Sequence, residues 1–525
     1  MNPVREVRQA RWNEPVVMEL GVPGRRGAVF PTAEPAVVEA VGPAQGLISE
    51  GMRRRTPPAL PEMTEPDTLR HYLHLSQEVL GMMNISLFGT CTMKYNPRLS
   101  EQISLRPQMA ETHPYQHPST LQGILEIVHS FDLFLRELSG MDQFVFQAAG
   151  GAHAAYTQTA VTRGYFAAKG ELAQRNQIIT TIQSHPCNPA TAATSGFEVI
   201  TLMLEENGYP SIDALKAALS DRTAAVMLNN PDDMGIYNPQ ITEWVRLTKE
   251  AGALAFYDHA NFNGVMTKIR ARDLGFDACM FMLHKTFGGP KGGGGPATGA
   301  YGCSAELAPF LPKPVVVKDP ASGLYDLDYD REMSVGKVRE FFGNLHIVMR
   351  AYAWARAMGA EGLSEASDIS VLANNYMEKR LLAIPGVTKS HPHLNEWRLE
   401  MTRYSIETLK QDTGIGVAEL SARMTDFGVD APWLAHEPWL VPEPFTPEAG
   451  EMWSKEDIDT WCDVVAQISK EAYENPDHVK AAPHNAAIHA IDGAPLDDPA
   501  RWATTWRAHL KKRAAAEARH AAAGE

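Results

Sequence analysis

The sequence contains no run of eighteen apolar residues, so no segment is expected to cross a membrane as a helix. Its start, Met1-Asn2-Pro3-Val4-Arg5-Glu6, lacks an apolar stretch and carries acidic residues early, which argues against a secretory leader or a transit peptide. Five cysteines stand apart, with no C-x-x-C pair. That spacing offers no zinc site and suits a reducing compartment, the cytoplasm. Basic residues are in deficit, 48 Lys and Arg against 63 Asp and Glu, for a formal net charge of −15. A chain so charged is repelled by phosphate backbones, which disfavours nucleic acid as a partner. Internal repeats and long low-complexity blocks are also lacking. What remains is ordinary for a globular protein: 44% hydrophobic and 21% charged residues over 525 positions, enough for two or three domains.

Residues 1–90 read as an extended N-terminal arm, rich at first in Pro, Gly and Arg and with little core of its own. Over 91–330 the pattern becomes regular. Gln143–Gln147, Gln177–Ile182, Glu198–Met203, Ala224–Leu228, Leu254–Tyr257 and Ala278–Leu283 read as buried strands. Leu121–Leu138, Ala152–Ala168, Ile212–Leu219 and Ile241–Ala251 read as helices. Strand and helix in alternation predict an α/β domain with a mostly parallel sheet covered on both faces. A smaller C-terminal α+β domain is expected over 331–495, opening on a helical pattern through Val338, Phe341, Phe342, Leu345 and Val348. Within it, Ser454 and Asp457 form the cap of another helix. Residues 496–525 form a helical tail.

In an open parallel sheet, ligands bind outside the carboxyl ends of the strands. Three such ends carry chemistry: Asn229-Asn230-Pro231, Asp258-His259-Ala260-Asn261 and His284-Lys285-Thr286. An isolated Asp or Lys there is usually a solvated turn residue. Asp258 and Lys285, however, are one strand–connection–strand unit apart and upstream of the glycine run Gly292–Gly295. A carboxylate and an amine so placed are what pyridoxal phosphate (PLP) requires: the acid to pair with its ring nitrogen, the amine to hold it as a Schiff base. The turn Gly150-Gly151-Ala152 runs from a strand into a helix and could cradle the phosphate, although such a turn alone more often reflects tight packing. His185 follows another strand and could stack on the ring. Asn230 and His284 flank the same edge. His113 and His117 lack a third ligand, so no metal site is expected.

At this point the sequence resembles a known family, the catalytic second subunit of the glycine decarboxylase P-protein of the glycine cleavage system. The motifs are Gly89-Thr90-Cys91-Thr92-Met93-Lys94-Tyr95-Asn96-Pro97, His284-Lys285-Thr286-Phe287 with Gly292–Pro296 downstream, Ser334-Val335-Gly336-Lys337-Val338-Arg339 with Gly343-Asn344, and Glu474-Asn475-Pro476 leading to Ala482-Pro483-His484. The likeness runs from Gln9 to about Trp502. It implies PLP fold type I, with the cofactor at a subunit interface in a homodimer or hetero-oligomer. It further implies decarboxylation of glycine and passage of the aminomethyl group to a lipoylated carrier, the H-protein, with a homologous first subunit. By motif, Lys285 is the Schiff-base lysine, Asp258 the ring-nitrogen partner and His185 the stacking histidine. The substrate pocket is expected to include Thr90, Cys91, His113, Cys187 and Asn188.

Departures from the family are concentrated near the site. Where the family usually reads Ala-His-Gly-Thr-Asn-Pro, this chain has Ser184-His185-Pro186-Cys187-Asn188-Pro189, in which proline fixes φ and removes a donor. Where it reads Asp-Gly-Ala-Asn, this chain has Asp258-His259-Ala260-Asn261. A PLP enzyme acting on a different amino acid, without lipoyl transfer, is therefore the alternative. A silent scaffold is a further one, weakened by the retention of Asp258, His185 and Lys285 together.

Overall fold

The computed structural model describes residues 4–28, 31–80, 84–89, 97–289, 297–391, 399–489 and 505–523. Seven strands form one sheet: β1 (Gln143–Ala148), β2 (Gln177–Thr181), β3 (Glu198–Leu202), β4 (Thr223–Asn229), β5 (Leu254–His259), β6 (Ala278–Met282) and β7 (Gly299–Cys303). They lie in the order β1-β7-β6-β5-β4-β2-β3. Neighbours from β6 to β3 pair in parallel, while β7 runs antiparallel to both β1 and β6. Helices α1 (Gln122–Ser139), α2 (Gly151–Ala168), α3 (Cys187–Thr194), α4 (Ile212–Ala218) and α5 (Ile241–Glu250) connect or cover these strands. The sheet is mostly parallel and the fold α/β, as expected.

Successive side chains on a strand point to opposite faces. Phe144, Phe146, Val226, Leu228, Tyr257 and Phe281 accordingly join one buried cluster with Phe131 of α1 and Trp244 of α5. Their neighbours Val145, Ala225, Met227, Phe256 and Met280 join another with Ala154, Val161 and Phe166 of α2. The strand β7 was not legible in the sequence, because two of its five residues are glycine. A Cβ at Gly302 would lie 2.2 Å from the Phe144 ring, and one at Gly299 2.6 Å from the Gly150 carbonyl oxygen. Close approach of neighbouring chain, rather than weak strand character, dictates those glycines.

The next long helix, α6 (Leu345–Leu381), starts later than its apolar pattern suggests. Phe341 (φ 64°) and Gly343 (φ 128°) are in left-handed conformations that a right-handed helix cannot include. Gly359, at φ 64°, kinks it midway. Three short antiparallel strands (Thr388–Lys389, Tyr404–Ser405, Pro444–Phe445) and α7 (Lys455–Glu474) build a further core around Leu409, Trp461, Val465 and Ile468. As expected, the Ser454 hydroxyl accepts from the Asp457 N–H at the start of α7 (3.1 Å), and Asp457 returns the bond.

These elements belong to one compact unit, Met1–Arg5 with Ile85–Ala481; Glu6–Asn84 and Ala482–Glu525 form a second. The second unit holds helices over Glu65–Gln77 and Trp506–Ala523. There the Arg11 guanidinium ties the two stretches, donating to the His484 and Ala486 carbonyls. Among the described residues, no helix is long and apolar enough to cross a membrane.

Candidate active site

The parallel strands deliver Asn229, Asp258 and Lys285 to one edge. Asp258 is the fifth residue of β5 and points to the α2 face, with Phe256. It is 1% exposed. One carboxylate oxygen accepts from the Ala260 N–H (2.9 Å), the other from the Asn188 side-chain amide (3.2 Å). Asn188, fully buried in α3, also donates to the Asn229 side chain (2.9 Å). Burial pushes the Asp258 carboxyl up to about 6, against the opposing pull of the Lys285 charge and of these two bonds.

Lys285 follows β6 and is largely buried, its backbone N–H closing a turn onto the Met282 carbonyl (3.0 Å). Its charge also acts on His185 and His284, both of which burial brings down to about 4. His185, Asp258, His284 and Lys285 therefore share one electrostatic neighbourhood. The His185 Nδ1 accepts from the Cys187 N–H (3.1 Å), which assigns the proton of the neutral ring to Nε2.

Helix α2 begins at Gly151, behind Gly150 in a conformation (φ 159°) that no side chain caps. A Cβ on Gly151 would lie 2.1 Å from the Met282 methyl carbon, whereas the nearest atom to one on Gly150 is 3.7 Å away. A side chain at Gly151 would thus press the end of the Met282 side chain, and one at Gly150 would make only ordinary contact, ahead of a helix start whose first N–H groups, including that of Ala152, suit an anion. Asn230 shapes the loop after β4: its side-chain oxygen accepts from the Asn238 N–H (2.7 Å), and its carbonyl accepts from the Tyr257 hydroxyl.

Of the residues expected to line a substrate pocket, Cys187 and Asn188 are buried at the start of α3. His113 is exposed and lines a cavity of about 300 Å³ with Arg339, Phe341 and His346, and Lys285 is not among the residues lining it. Thr90 and Cys91 lie outside the described residues. The departures from the family pattern are accommodated. Pro186 sits at φ −55°, ψ −18°, at the start of α3, where a proline fits. His259 points to the face opposite Asp258, stacked between Tyr257 (3.7 Å between centroids) and Phe281 (5.2 Å), and belongs to the core.

Three polar residues beside the cluster escaped the sequence reading: Asp233, Arg403 and His436. They line a cavity of about 170 Å³ with Gln183, Ser184 and Pro186. Arg403 is buried, and burial lowers its guanidinium to about 10. No local signal marks them, since the partners are 170 and 203 residues apart.

The chain matches the family model Aminotransferase class-V over residues 145–296. It is 40% identical, over 92% of its length and 94% of the relative's, to the Pyrococcus abyssi protein named "Probable glycine dehydrogenase (decarboxylating) subunit 2". A Staphylococcus saprophyticus protein of the same name is 39% identical over 91% of this chain and 95% of its own. The chain belongs to the glycine dehydrogenase (decarboxylating) subunit 2 family. Among solved structures it is similar to a glycine decarboxylase (P-protein) of the glycine cleavage system in inhibitor-bound form, with a TM-score of 0.69, 18% identity, and coverage of 84% of this chain and all of the other. A NifS-like protein also shares the fold, at a TM-score of 0.56 and 16% identity over 74% of this chain.

Glycine dehydrogenase (decarboxylating) subunit 2 is a PLP-dependent enzyme of fold type I. The residues present fit that cofactor. Buried at the strand ends, the Asn229 and Asn230 amide nitrogens, His284 Nδ1 and the Thr286 hydroxyl have no hydrogen-bond partner among the described residues. Such unmet polar atoms call for a polar ligand. Asp258 offers a buried acid to a basic ring nitrogen, and Lys285 an amine to an aldehyde.

Proposed function

We propose that this chain removes carbon dioxide from glycine and passes the remaining aminomethyl group to a lipoylated carrier, the H-protein, together with a homologous first subunit. The observation that carries this reading is identity of about 40% across nearly the whole length with relatives bearing that subunit's name, in a chain whose Lys285, Asp258 and His185 share one sheet edge. The subunit number in those names supports a hetero-oligomer. The four described cysteines, buried and outside any disulfide, fit a reducing cytoplasm.

When bound, PLP draws electrons from the substrate α-carbon, so that the carboxylate can leave as carbon dioxide. Lys285 holds the cofactor through its amine. Asp258 keeps the ring nitrogen protonated: a cationic partner favours the carboxylate form that burial alone disfavours. His185 would stack on the cofactor's ring, Gly150, Gly151 and Ala152 would receive its phosphate, and His284 and Asn230 would border it. Arg403 brings a buried positive charge to the cavity beside His185, a counter-ion for the substrate carboxylate.

Exchange of labelled bicarbonate into the carboxyl group of glycine tests the reading, with lipoylated carrier and first subunit present. Label should enter glycine only with all components. Absence of exchange, with another amino acid perturbing the bound cofactor's spectrum, would refute it.

A further inference from the structure

Asp233, in the loop after β4, and His436, within 430–443, lie beside His185 but outside the cluster that would hold the cofactor. His436 Nδ1 is 2.6 Å from an Asp233 carboxylate oxygen. The His436 ring meets the His185 ring edge to face, with centroids 4.5 Å apart and planes at 75°. Both partners are anchored from behind. The Asp233 carbonyl accepts from Arg403 (2.6 Å), whose Nε donates to the Thr446 hydroxyl (2.6 Å). Trp433 packs against His436 at 4.7 Å and under the Arg403 guanidinium at 5.1 Å.

We propose that Asp233 and His436 are positioning residues for His185: the carboxylate orients His436, and His436 braces the His185 ring while engaging the negative charge that would otherwise draw a proton onto it. His185 can accept the Cys187 N–H only while its Nδ1 is unprotonated. A proton there breaks the bond that fixes the ring. The charged and titratable groups facing His185 are Asp233, Lys285 and His436. Burial, Lys285 and His436 oppose its protonation, and Asp233 favours it. Burial works to raise the Asp233 carboxyl. The His436 bond and the nearby charges of His185, His436 and Arg403 nevertheless hold it below its ordinary value, so the charge is present to be managed. The pair acts like a carboxylate–imidazole couple in which the acid fixes ring orientation and tautomer.

This inference rests on His185 facing the cofactor, and its test does not depend on turnover. In the full chain with PLP added, ring nitrogen NMR of labelled histidine reports the protonation of His185, assigned by its loss in His185→Gln. His436→Phe keeps a ring but deletes the donor. It should move the His185 midpoint up by about one pH unit or more, the scale expected of a newly unshielded charge. His436→Asn, which keeps a donor near the Nδ1 position, should restore the native midpoint, and Asp233→Asn should lower it. Coincident midpoints in His436→Phe and wild type would overturn the proposal, as would an Asp233→Asn midpoint that does not fall, which decides the matter if His436→Phe does not fold. Glycine–bicarbonate exchange by the wild type separately judges the functional reading.

Discussion

Asn188 offers a sharp test of how the site works, because one buried amide serves two acceptors. Its side chain donates to Asp258 at 3.2 Å and to Asn229 at 2.9 Å. Asn188→Ala leaves both buried acceptors short of a donor. A hydrogen bond to a charged group is worth about 1.5–3 kcal/mol, and each 1.4 kcal/mol is roughly tenfold. Burial already disfavours the Asp258 carboxylate, so the lost bond should raise its pKa further above about 6 and weaken its hold on the ring nitrogen. We expect PLP affinity, measured by absorbance titration, to fall roughly ten- to a hundredfold. At saturating PLP, glycine exchange should lose kcat with little change in KM, since Asn188 acts through Asp258 and not on substrate. A variant with raised KM and unchanged kcat would refute this reasoning and put Asn188 in the substrate pocket instead.

Other expectations follow from single residues. Lys285→Ala should release PLP on dialysis and give no cofactor-labelled peptide after borohydride reduction; label recovered on another lysine would refute the assignment. His259→Phe should stabilise the protein by about 1 kcal/mol at neutral pH, because it removes a buried imidazole whose Nδ1 has no partner among the described residues. Burial lowers that imidazole from 6.5 to about 3. Its contribution is therefore present above about pH 6.5 and lost as pH falls toward 3, so denaturant melts of the variant should decline less steeply through that window. Gly235→Ala should destabilise the protein by several kcal/mol or prevent folding. Its φ is +78° and its Cβ would lie 2.1 Å from the Met401 carbonyl oxygen, which is backbone and cannot swing aside. A wild-type melt for that variant would show that the loop carrying Asp233 is looser than drawn.

The sheet was legible because its strands are short runs of β-branched or apolar residues cut by helices and turns. All six expected strands are present with ends within two residues. The seventh was hidden by glycines that serve neighbours rather than the strand itself. The start of α6 was misread because apolar spacing at Val338–Leu345 carries no record of the left-handed turns at Phe341 and Gly343. In the site, Asp258 and Lys285 could be paired because parallel topology converts sequence spacing into adjacency at one edge. Asp233, Arg403 and His436 could not, since they meet only through the folding of a distant loop onto the sheet. His259 marks a different limit: its type suggested altered chemistry, and only the alternation of β5 shows that it faces the core.

That alternation has a consequence for what lengths β5 can tolerate. Asp258 and His259 are consecutive, one on the α2 face and one in the aromatic layer beneath. Sliding β5 by one residue would send each to the other face, placing an imidazole on the side where the acid stands and a carboxylate in the aromatic layer against Phe281. A buried, unpaired charge there is costly enough to oppose folding. The aromatic layer thus acts as a vernier for the active site. It rejects every register but the one that points the acid toward α2, so the apolar side of the sheet sets where the polar side can work.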